Sequence, residues 1–250
     1  LIPYQKKVLL NLTTCGLIIF GGLGFLVILD VKRCRGSFRK LSLNSKVVIT
    51  TTIALLLSGT LLLKATEDMS WMGAFFHSVS ARTAGFSTYP MGELTNAGLF
   101  TLTVLMFIGA SPGSTGGGIK TTTFFALMQD VRSVFTKQRP GAFHRTISAE
   151  SMGKAPVIAL LSMLVVCVGT FLLCILEPEC TFIQLLFEEV SAFGTVGLST
   201  GITPNLCVLS KLIIILTMFT GRVGAFTLLS IWIDRPEASA HYTEESITIG

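Results

Sequence analysis

VSAFGTVGLST, residues 190–200, is a polar, glycine-containing stretch inside an otherwise apolar part of the chain. A similar stretch, VSARTAGFST, occupies residues 79–88. The two align when one residue is inserted, so that their threonines and glycines coincide, and the sequence therefore contains an internal repeat. The alignment pairs Thr83 with Thr195, Gly85 with Gly197, Ser87 with Ser199 and Thr88 with Thr200.

Each stretch follows a short apolar segment, at residues 70–81 and 181–192. A helix needs ~20 residues to cross a bilayer, so these segments predict short re-entrant or interfacial helices. Longer apolar segments surround them, and all but the third have the length of one membrane span. The long segments are residues 9–29, 47–63, 94–128, 156–176 and 206–233.

The composition is that of an integral membrane protein. The 250-residue chain has a mean hydropathy of +0.71, and only 13% of its residues are charged. A soluble domain carries about 25% charged residues. The six cysteines form no CxxC pair and no Cys/His cluster, which argues against a metal site. No nucleophile is paired with a base in an apolar segment, so we predict a protein that is not an enzyme and has no cofactor.

The charges predict the orientation in the membrane. Residues 31–46 and 131–155 are rich in Lys and Arg, and loops of this kind favour the cytoplasmic side. Acidic residues instead follow the second and fourth long segments, which places these connections and both glycine stretches outside. Because topology explains the formal net charge of +5, we predict no nucleic-acid partner.

The repeated stretches have the composition of an ion filter. Glycine adopts positive φ angles without steric cost, so a short run can turn several backbone carbonyls toward one point. Such carbonyls replace the hydration shell of a cation, and a short helix ending just before them adds its negative dipole. Neither stretch contains an acidic residue, which favours carbonyls over carboxylates as ligands; a pair of tight turns is the alternative. The predicted carbonyl ligands are Thr83, Ala84, Gly85, Phe86, Thr195, Val196, Gly197 and Leu198, within filters 83–87 and 195–199.

FIGASPGSTGGGIKTTTF, residues 107–124, interrupts the overlong third segment. Non-helical backbone at membrane depth is tolerated only where protein buries it or where it lines a water-filled cavity. We therefore predict two shorter helices joined by a movable loop below the filters. A phosphate-binding loop would need Lys directly after Gly, but Ile119 intervenes; close helix packing through small residues is the other alternative. The predicted gating loop consists of Gly109, Ala110, Ser111, Pro112, Gly113, Ser114, Thr115, Gly116, Gly117 and Gly118, followed by Lys120.

One arginine lies in the last long segment. The repeat pairs Gly221 with Gly109, which places Arg222 at the depth of the glycine-rich loop. A charge in mid-membrane is costly and indicates a function; here it would repel cations, or bind loop carbonyls and hold a gate shut. Snorkelling to the cytoplasmic surface is the alternative, but Asp234 lies ~18 Å further along a helix.

At these residues the chain resembles the membrane subunit of Trk/Ktr/HKT-type potassium transporters, and SPGSTGGGIKTTTF is closest to the Ktr form. TVG at residues 195–197 also resembles the first half of the potassium-channel filter TVGYG. The resemblance implies an all-α integral membrane fold of linked helix–pore-helix–helix repeats with potassium-channel-like pore architecture. It further implies potassium as the transported ion, with sodium as an alternative, and the bacterial plasma membrane. The implied partners are a second copy of the complete subunit, a cytosolic ring of nucleotide-binding regulators, and the lipid bilayer.

The resemblance divides the chain into three parts. Residues 1–45 would be the last helix of a preceding repeat and a basic loop, residues 46–150 a pore repeat containing the glycine-rich loop, and residues 151–250 a pore repeat with a cytoplasmic C-terminus. We therefore expect the C-terminal half of a longer protein, unable to conduct ions alone. The functional alternative is a sodium-permeable or cation-coupled secondary transporter with broken helices at the midplane, but its inverted repeats disagree with two copies of the same orientation. The sequence leaves coupling to Na+ or H+ open.

Overall fold

The computed structural model describes residues 1–224 and Thr227, and its regular structure is almost entirely helical. The α-helices of this part of the chain are α1 (Val8–Leu23), α2 (Phe25–Arg33), α3 (Leu43–Thr66), α4 (Trp71–Ser80), α5 (Asn96–Phe107), α6 (Thr121–Thr136), α7 (Ala149–Leu176), α8 (Phe182–Phe193) and α9 (Val208–Val223). Short 3-10 turns lie at Ile2–Tyr4, Phe38–Lys40, Met91–Glu93 and Thr203–Asn205, and a hairpin pairs β1 (Gly141–Ala142) antiparallel with β2 (Arg145–Thr146). The fifth expected segment is helical from Val208 to Val223. Residues 225, 226 and 228–250, which include Asp234 and the C-terminal region, lie outside the described residues.

Long apolar helices dominate the fold. Within the described residues, α3 and α7 are long and apolar enough to cross a bilayer, and α1 with α2 gives a third span if the bent pair is taken together. Helix α7 presents large apolar side chains outward, among them Leu160 at 71% and Phe171 at 64% exposure. Extended apolar surfaces of this kind mark contact with lipid or protein. The observed helices agree with the predicted all-α membrane class.

The two short helices predicted from the repeat are confirmed as α4 and α8. The Ser70 hydroxyl begins α4 by accepting the N–H of Gly73 at 3.1 Å. Thr181 begins α8 through a reciprocal capping box with Gln184. Most residues of both helices are buried among the longer ones. The glycine stretches that follow them therefore begin inside the helical assembly.

The largest buried cluster lies where α5 packs against α8. Leu102, Met106 and Phe187 have no exposed surface there. Lipid tails are as apolar as these side chains, so exclusion from water does not drive such helices together in a membrane. Close packing of complementary surfaces holds α5 against α8 instead.

The expectation of one continuous helix over residues 9–29 is wrong. Helix α1 ends at Leu23, α2 begins at Phe25, and their axes differ by 91°. Gly24 makes the bend with a φ of +81°, and a Cβ atom there would lie 2.7 Å from the carbonyl oxygen of Pro112. The close approach of the glycine-rich loop, which the sequence places in a different segment, therefore requires glycine at the bend.

The two copies of the repeat are closed by the same hydrogen bond. We call α3, α4 and α5 the first set, and α7, α8 and α9 the second set. In the first set, Glu67 follows α3 and accepts the N–H of Thr95 at 3.0 Å, immediately before α5. In the second set, Glu177 follows α7 and accepts the N–H of Cys207 at 2.6 Å, immediately before α9. This bond holds the pKa of the Glu177 carboxyl below its ordinary value. The acidic residues that predicted the outer side thus also join the first and third helix of each set.

Replacement of Gly221 by alanine tests the packing of α9 on α8. The new Cβ atom would lie 2.7 Å from the carbonyl carbon of Phe193, and a backbone atom inside a helix does not move aside cheaply. We expect Gly221→Ala to destabilise the complete protein by about 1–3 kcal/mol, the usual cost of overpacking. The measurement is the midpoint of thermal denaturation in detergent micelles.

Gly153→Ala is the matched control, because a Cβ atom at this exposed position of α7 meets nothing within 4 Å. Alanine is about 0.5–1 kcal/mol better than glycine inside a helix, so this midpoint should rise slightly. A midpoint for Gly221→Ala at or above that of the unmodified protein would contradict the described contact.

Candidate functional site

The two glycine stretches share an unusual backbone. Thr83 and Gly85 have φ angles of +72° and +75°, and the paired Thr195 and Gly197 have +49° and +92°. Left-handed φ costs an ordinary residue roughly 1–2 kcal/mol and is a genuine outlier for a β-branched one. In both stretches, residues with a left-handed φ alternate with residues whose φ is negative. Successive peptide groups therefore do not point to opposite sides, as they do in a β-strand. Matched strain at two threonines indicates a functional backbone.

Most carbonyl oxygens of these stretches are free. In the described part of the chain, six of them accept no hydrogen bond. They belong to Thr83, Ala84, Gly85, Thr195, Val196 and Gly197. The fourth predicted carbonyl ligand of each glycine stretch accepts a hydrogen bond. The Phe86 carbonyl accepts the Ser80 hydroxyl at 2.5 Å, and the Leu198 carbonyl accepts the Ser191 hydroxyl at 2.6 Å. Unpaired carbonyls at this depth can bind a cation.

The two glycine stretches contact each other directly. A Cβ atom on Gly85 would collide with the carbonyl oxygen of Val196 and lie 3.1 Å from the Cα atom of Gly197. Glycine is therefore required at position 85 for two reasons, the positive φ and the close approach. The contact places the free carbonyls of both sets in one region of the molecule.

Side chains from the short helices hold the outer end of each stretch. In the first set, the Nε2 atom of His77 accepts the N–H of Thr88 at 3.3 Å, and its Nδ1 atom lies 2.8 Å from the carbonyl of Gly73. In the second set, a Glu188 carboxylate oxygen accepts the N–H of Thr200 at 2.8 Å. The sequence analysis gave neither side chain a role. The signal was present, because both precede the repeated VSA motif by the same number of residues.

The predicted break in the third long segment is confirmed. Helix α5 ends at Phe107 and α6 begins at Thr121. The two ends of the intervening loop meet at a parallel bridge between Ile108 and Ile119, and the Ile119 N–H donates to the Phe107 carbonyl at 3.2 Å. These contacts form a neck, so the glycine-rich loop projects from the helical segments as a closed unit.

The glycine-rich loop packs against the first threonine of both glycine stretches. A Cβ atom on Gly116 would collide with the hydroxyl oxygen of Thr83, and one on Gly117 would lie 2.6 Å from the hydroxyl oxygen of Thr195. Only glycine fits at either position. The loop therefore lies directly beside the inner end of the region that contains the free carbonyls.

Basic side chains donate to the carbonyls of the glycine-rich loop. Lys120 Nζ donates to the Gly116 carbonyl at 2.5 Å, and Arg222 donates to the carbonyl of Thr115. A third donor, which the sequence analysis did not single out, is Arg82; its Nη2 atom lies 2.9 Å from the carbonyl oxygen of Gly109. These bonds use charged donors on neutral acceptors, and such bonds are worth about 1.5–3 kcal/mol each.

The loop is also tied to the bend between α1 and α2. The Ser111 hydroxyl donates to the carbonyls of Gly22 at 2.7 Å and Leu23 at 2.5 Å, which the bend has freed. In return, the N–H of Phe25 donates to the carbonyl of Gly113 at 3.3 Å. Two irregular stretches thus satisfy each other's backbone groups.

Among the described residues, no cluster of three or more His, Cys, Asp or Glu side chains could hold a metal ion.

Comparison with known proteins tests the family resemblance that the glycine motifs indicated. The family described as "TrkH: Cation transport protein" matches residues 1–240. "Ktr system potassium uptake protein B" of Vibrio alginolyticus is 38% identical over the whole chain, which covers 58% of that protein. "Potassium/sodium uptake protein NtpJ" of Enterococcus hirae is 37% identical over the whole chain, which covers 59% of that protein. The chain thus spans less than two thirds of the length of these relatives.

A solved structure has the same fold. The potassium transporter TrkH from Vibrio parahaemolyticus matches with a TM-score of 0.70 at 19% identity, over 90% of this chain and 52% of that one. At this identity the likeness concerns the fold alone, whereas the family match and the two relatives concern nearly the whole sequence. The resemblance read from the glycine motifs is confirmed: the chain belongs to the TrkH family of cation transport proteins.

Proposed function

We propose that the complete protein carries potassium into the cell through a filter lined by the free carbonyls of the two glycine stretches. The observation that carries the proposal is their matched backbone: Thr83 and Thr195 are strained in the same way, and the carbonyls of residues 83–85 and 195–197 accept no hydrogen bond from the described residues. A dehydrated cation takes such oxygens in place of water. The printed names of the relatives, which concern potassium uptake, support the choice of ion.

The proposed architecture is a pore made of helix–pore-helix–helix repeats. The first set, in the predicted part 46–150, and the second set, in the predicted part 151–250, would each supply one filter segment, with α4 and α8 as pore helices. Their first helices begin slightly before these boundaries, at Leu43 and Ala149. Residues 1–45 would contribute the last helix of a preceding repeat. The repeated Glu caps and the repeated Ser–carbonyl bonds support this division. Filter segments from the rest of the protein would complete the ion site.

The proposed location is the bacterial plasma membrane, with the filter facing outside. The basic loops 31–46 and 131–155 would lie in the cytoplasm. By resemblance, the complete subunit would pair as a homodimer and bind a cytosolic ring of nucleotide-binding regulators. Sodium remains the second candidate ion, because one relative of 37% identity is named as a potassium/sodium uptake protein.

The glycine-rich loop, residues 109–118, is the proposed gate. Its contact with Thr83 and Thr195 supports a position across the inner end of the proposed filter. The bonds from Lys120 and Arg222 would hold it in this position. A cytosolic regulator would then open the path by moving the loop away from these donors.

Replacement of Gly197 by serine tests the filter. A Cβ atom has space there, since its nearest neighbour is the Gly85 Cα atom at 3.8 Å, but a φ of +92° strains any residue except glycine. We expect Gly197→Ser to relax this φ and to lower the preference of the complete protein for potassium over sodium several-fold. The cost of a left-handed φ for serine, roughly 1–2 kcal/mol, is the free energy that drives this relaxation. Sodium inhibition of potassium uptake would be measured in cells that lack other uptake systems.

Gly201→Ser is the control. Gly201 also has a positive φ, +96°, but lies beyond the free carbonyls, and a Cβ atom there meets nothing within 4 Å. It should leave the ion preference unchanged. Equal sodium inhibition in both variants and the unmodified protein would remove Gly197 from the filter.

Deletion of residues 111–117 tests the gate. The shortened loop should no longer reach the threonines below the filter, so potassium flux should rise and depend less on a cytosolic regulator. Arg222→Ala should raise flux by a smaller factor, bounded at about tenfold to a hundredfold by the 1.5–3 kcal/mol of one charged hydrogen bond. In the deleted protein, Arg222→Ala should add little, because the two changes act on one contact.

Potassium flux would be compared at equal amounts of inserted protein. Lys154→Ala is the control for the loss of a surface cation, because Lys154 pairs with Glu150, far along the chain from the loop. The flux of this variant should match that of the unmodified protein. If the deletion left flux at the original level, the loop would be a packing feature rather than a gate.

A further inference from the structure

Arg82 occupies the junction between filter and loop. It follows the end of α4 and directly precedes Thr83, and only 6% of its surface is exposed. A buried guanidinium in a membrane protein is expensive, and its presence indicates a function. The proposed filter consists of the backbone beyond Arg82, and the proposed gate is held by Lys120 and Arg222, so neither requires this charge.

The partner of Arg82 is the neck of the glycine-rich loop. Its Nη2 atom lies 2.9 Å from the carbonyl oxygen of Gly109, the first residue of the loop. Gly109 itself is closely enclosed, because a Cβ atom there would collide with the carbonyl oxygen of Gly117. One hydrogen bond therefore connects the residue before the filter to the point where the loop closes on itself.

The second set has a different residue at this position. Phe193 takes the place of Arg82, and its backbone packs against Gly221, the counterpart of Gly109. Helix α9 continues through Gly221 to Val223, whereas α5 has already ended at Phe107. Arg82, the charged donor, thus occurs in the first set, where α5 ends at Phe107. It lies opposite the Gly109 carbonyl, which the end of the helix exposes.

The guanidinium has an unused donor. Its Nη1 atom is buried and has no hydrogen-bond partner among the residues that the structure describes. Leaving a buried donor unpaired costs about 1–3 kcal/mol or more. With the loop in the observed position, the described residues satisfy Arg82 only in part.

We propose that Arg82 is a positioning residue that transmits the position of the loop to the filter. With the loop in the observed place, the guanidinium joins Gly109 to the backbone that leads into Thr83. When the loop moves, this bond breaks or re-forms with other carbonyls, and the first filter residue is held differently. The inference rests on the proposed filter and gate, and it adds that ion preference depends on the state of the gate.

The test is a double-mutant cycle in the complete transporter. Four proteins are compared: the unmodified chain, Arg82→Met, the chain without residues 111–117, and the combination. The readout is the sodium concentration that halves potassium uptake, in cells lacking other uptake systems. With Arg82 present, deletion of the loop should shift this concentration by about threefold or more. With Arg82→Met, the same deletion should leave it unchanged, because the connection is already cut.

Arg222→Met is the matched control, since Arg222 also binds a loop carbonyl but belongs to α9. It should raise flux, and deletion of the loop in its background should still shift sodium inhibition as in the unmodified chain. Arg82→Lys should retain part of the shift, because an ammonium group can still donate to the Gly109 carbonyl. A purely structural role for Arg82 would change protein amount or flux without removing the loop-dependent shift.

The outcomes separate this inference from the gate on which it rests. If deletion of the loop raises flux but shifts sodium inhibition equally with and without Arg82, or not at all, the inference is wrong and the gate stands. If deletion leaves both flux and sodium inhibition unchanged, the gate is wrong and the inference falls with it. Should Arg82→Met not reach the membrane, Arg82→Leu, which also lacks a donor, takes its place in the cycle. A loop-dependent shift as large with Arg82→Leu as with Arg82 would overturn the inference.

Discussion

The fold depends on how the carbonyls and amides of its broken helices find partners inside a membrane. Lipid offers no hydrogen bonds, so each group freed by a break must be satisfied by protein or by water in a cavity. Two breaks lie next to each other here, and each supplies what the other lacks: Ser111 donates to Gly22 and Leu23, and Phe25 donates to Gly113. Three further loop carbonyls take their donors from Arg82, Lys120 and Arg222, whose charges would be costly at this depth without such acceptors.

The rest of the molecule is built twice, and its two sets differ where the break occurs. Each set closes its first helix onto its third through a Glu, and each fixes the outer end of its glycine stretch from the same position of the short helix. At the inner end the symmetry is lost. The second set continues its helix past Gly221 and packs Phe193 against it, whereas the first set stops at Phe107 and places Arg82 opposite the freed backbone. A filter needs equivalent segments around an ion, but a gate needs only one segment that can move out of the ion path.

The sequence predicted the elements that depend on local pattern. Repetition of the VSA motif predicted α4, α8 and the paired glycine stretches, and the glycine-rich run predicted the end of α5 near Phe107. The bend at Gly24 was missed, because glycines in an apolar helix usually indicate close packing, and the loop that contacts the bend comes from a distant segment. His77, Glu188 and Arg82 were missed because each acts through a backbone partner, which the pattern of side chains within one copy does not reveal. Reading the two copies in register would have found the first two, since a polar side chain occurs at one matched position in both.

The mutual support of the two breaks also determines the order in which the chain can reach its final form. Ser111 and Gly22 lie 89 residues apart, so the first apolar segment enters the membrane before its partner has been synthesised. Until then the carbonyls of Gly22 and Leu23 have donors only within their own helix, and an unbroken helix is the form that leaves none of them unpaired in lipid. The 91° bend therefore obtains the Ser111 donor for the carbonyls of Gly22 and Leu23 only from a segment that is synthesised later.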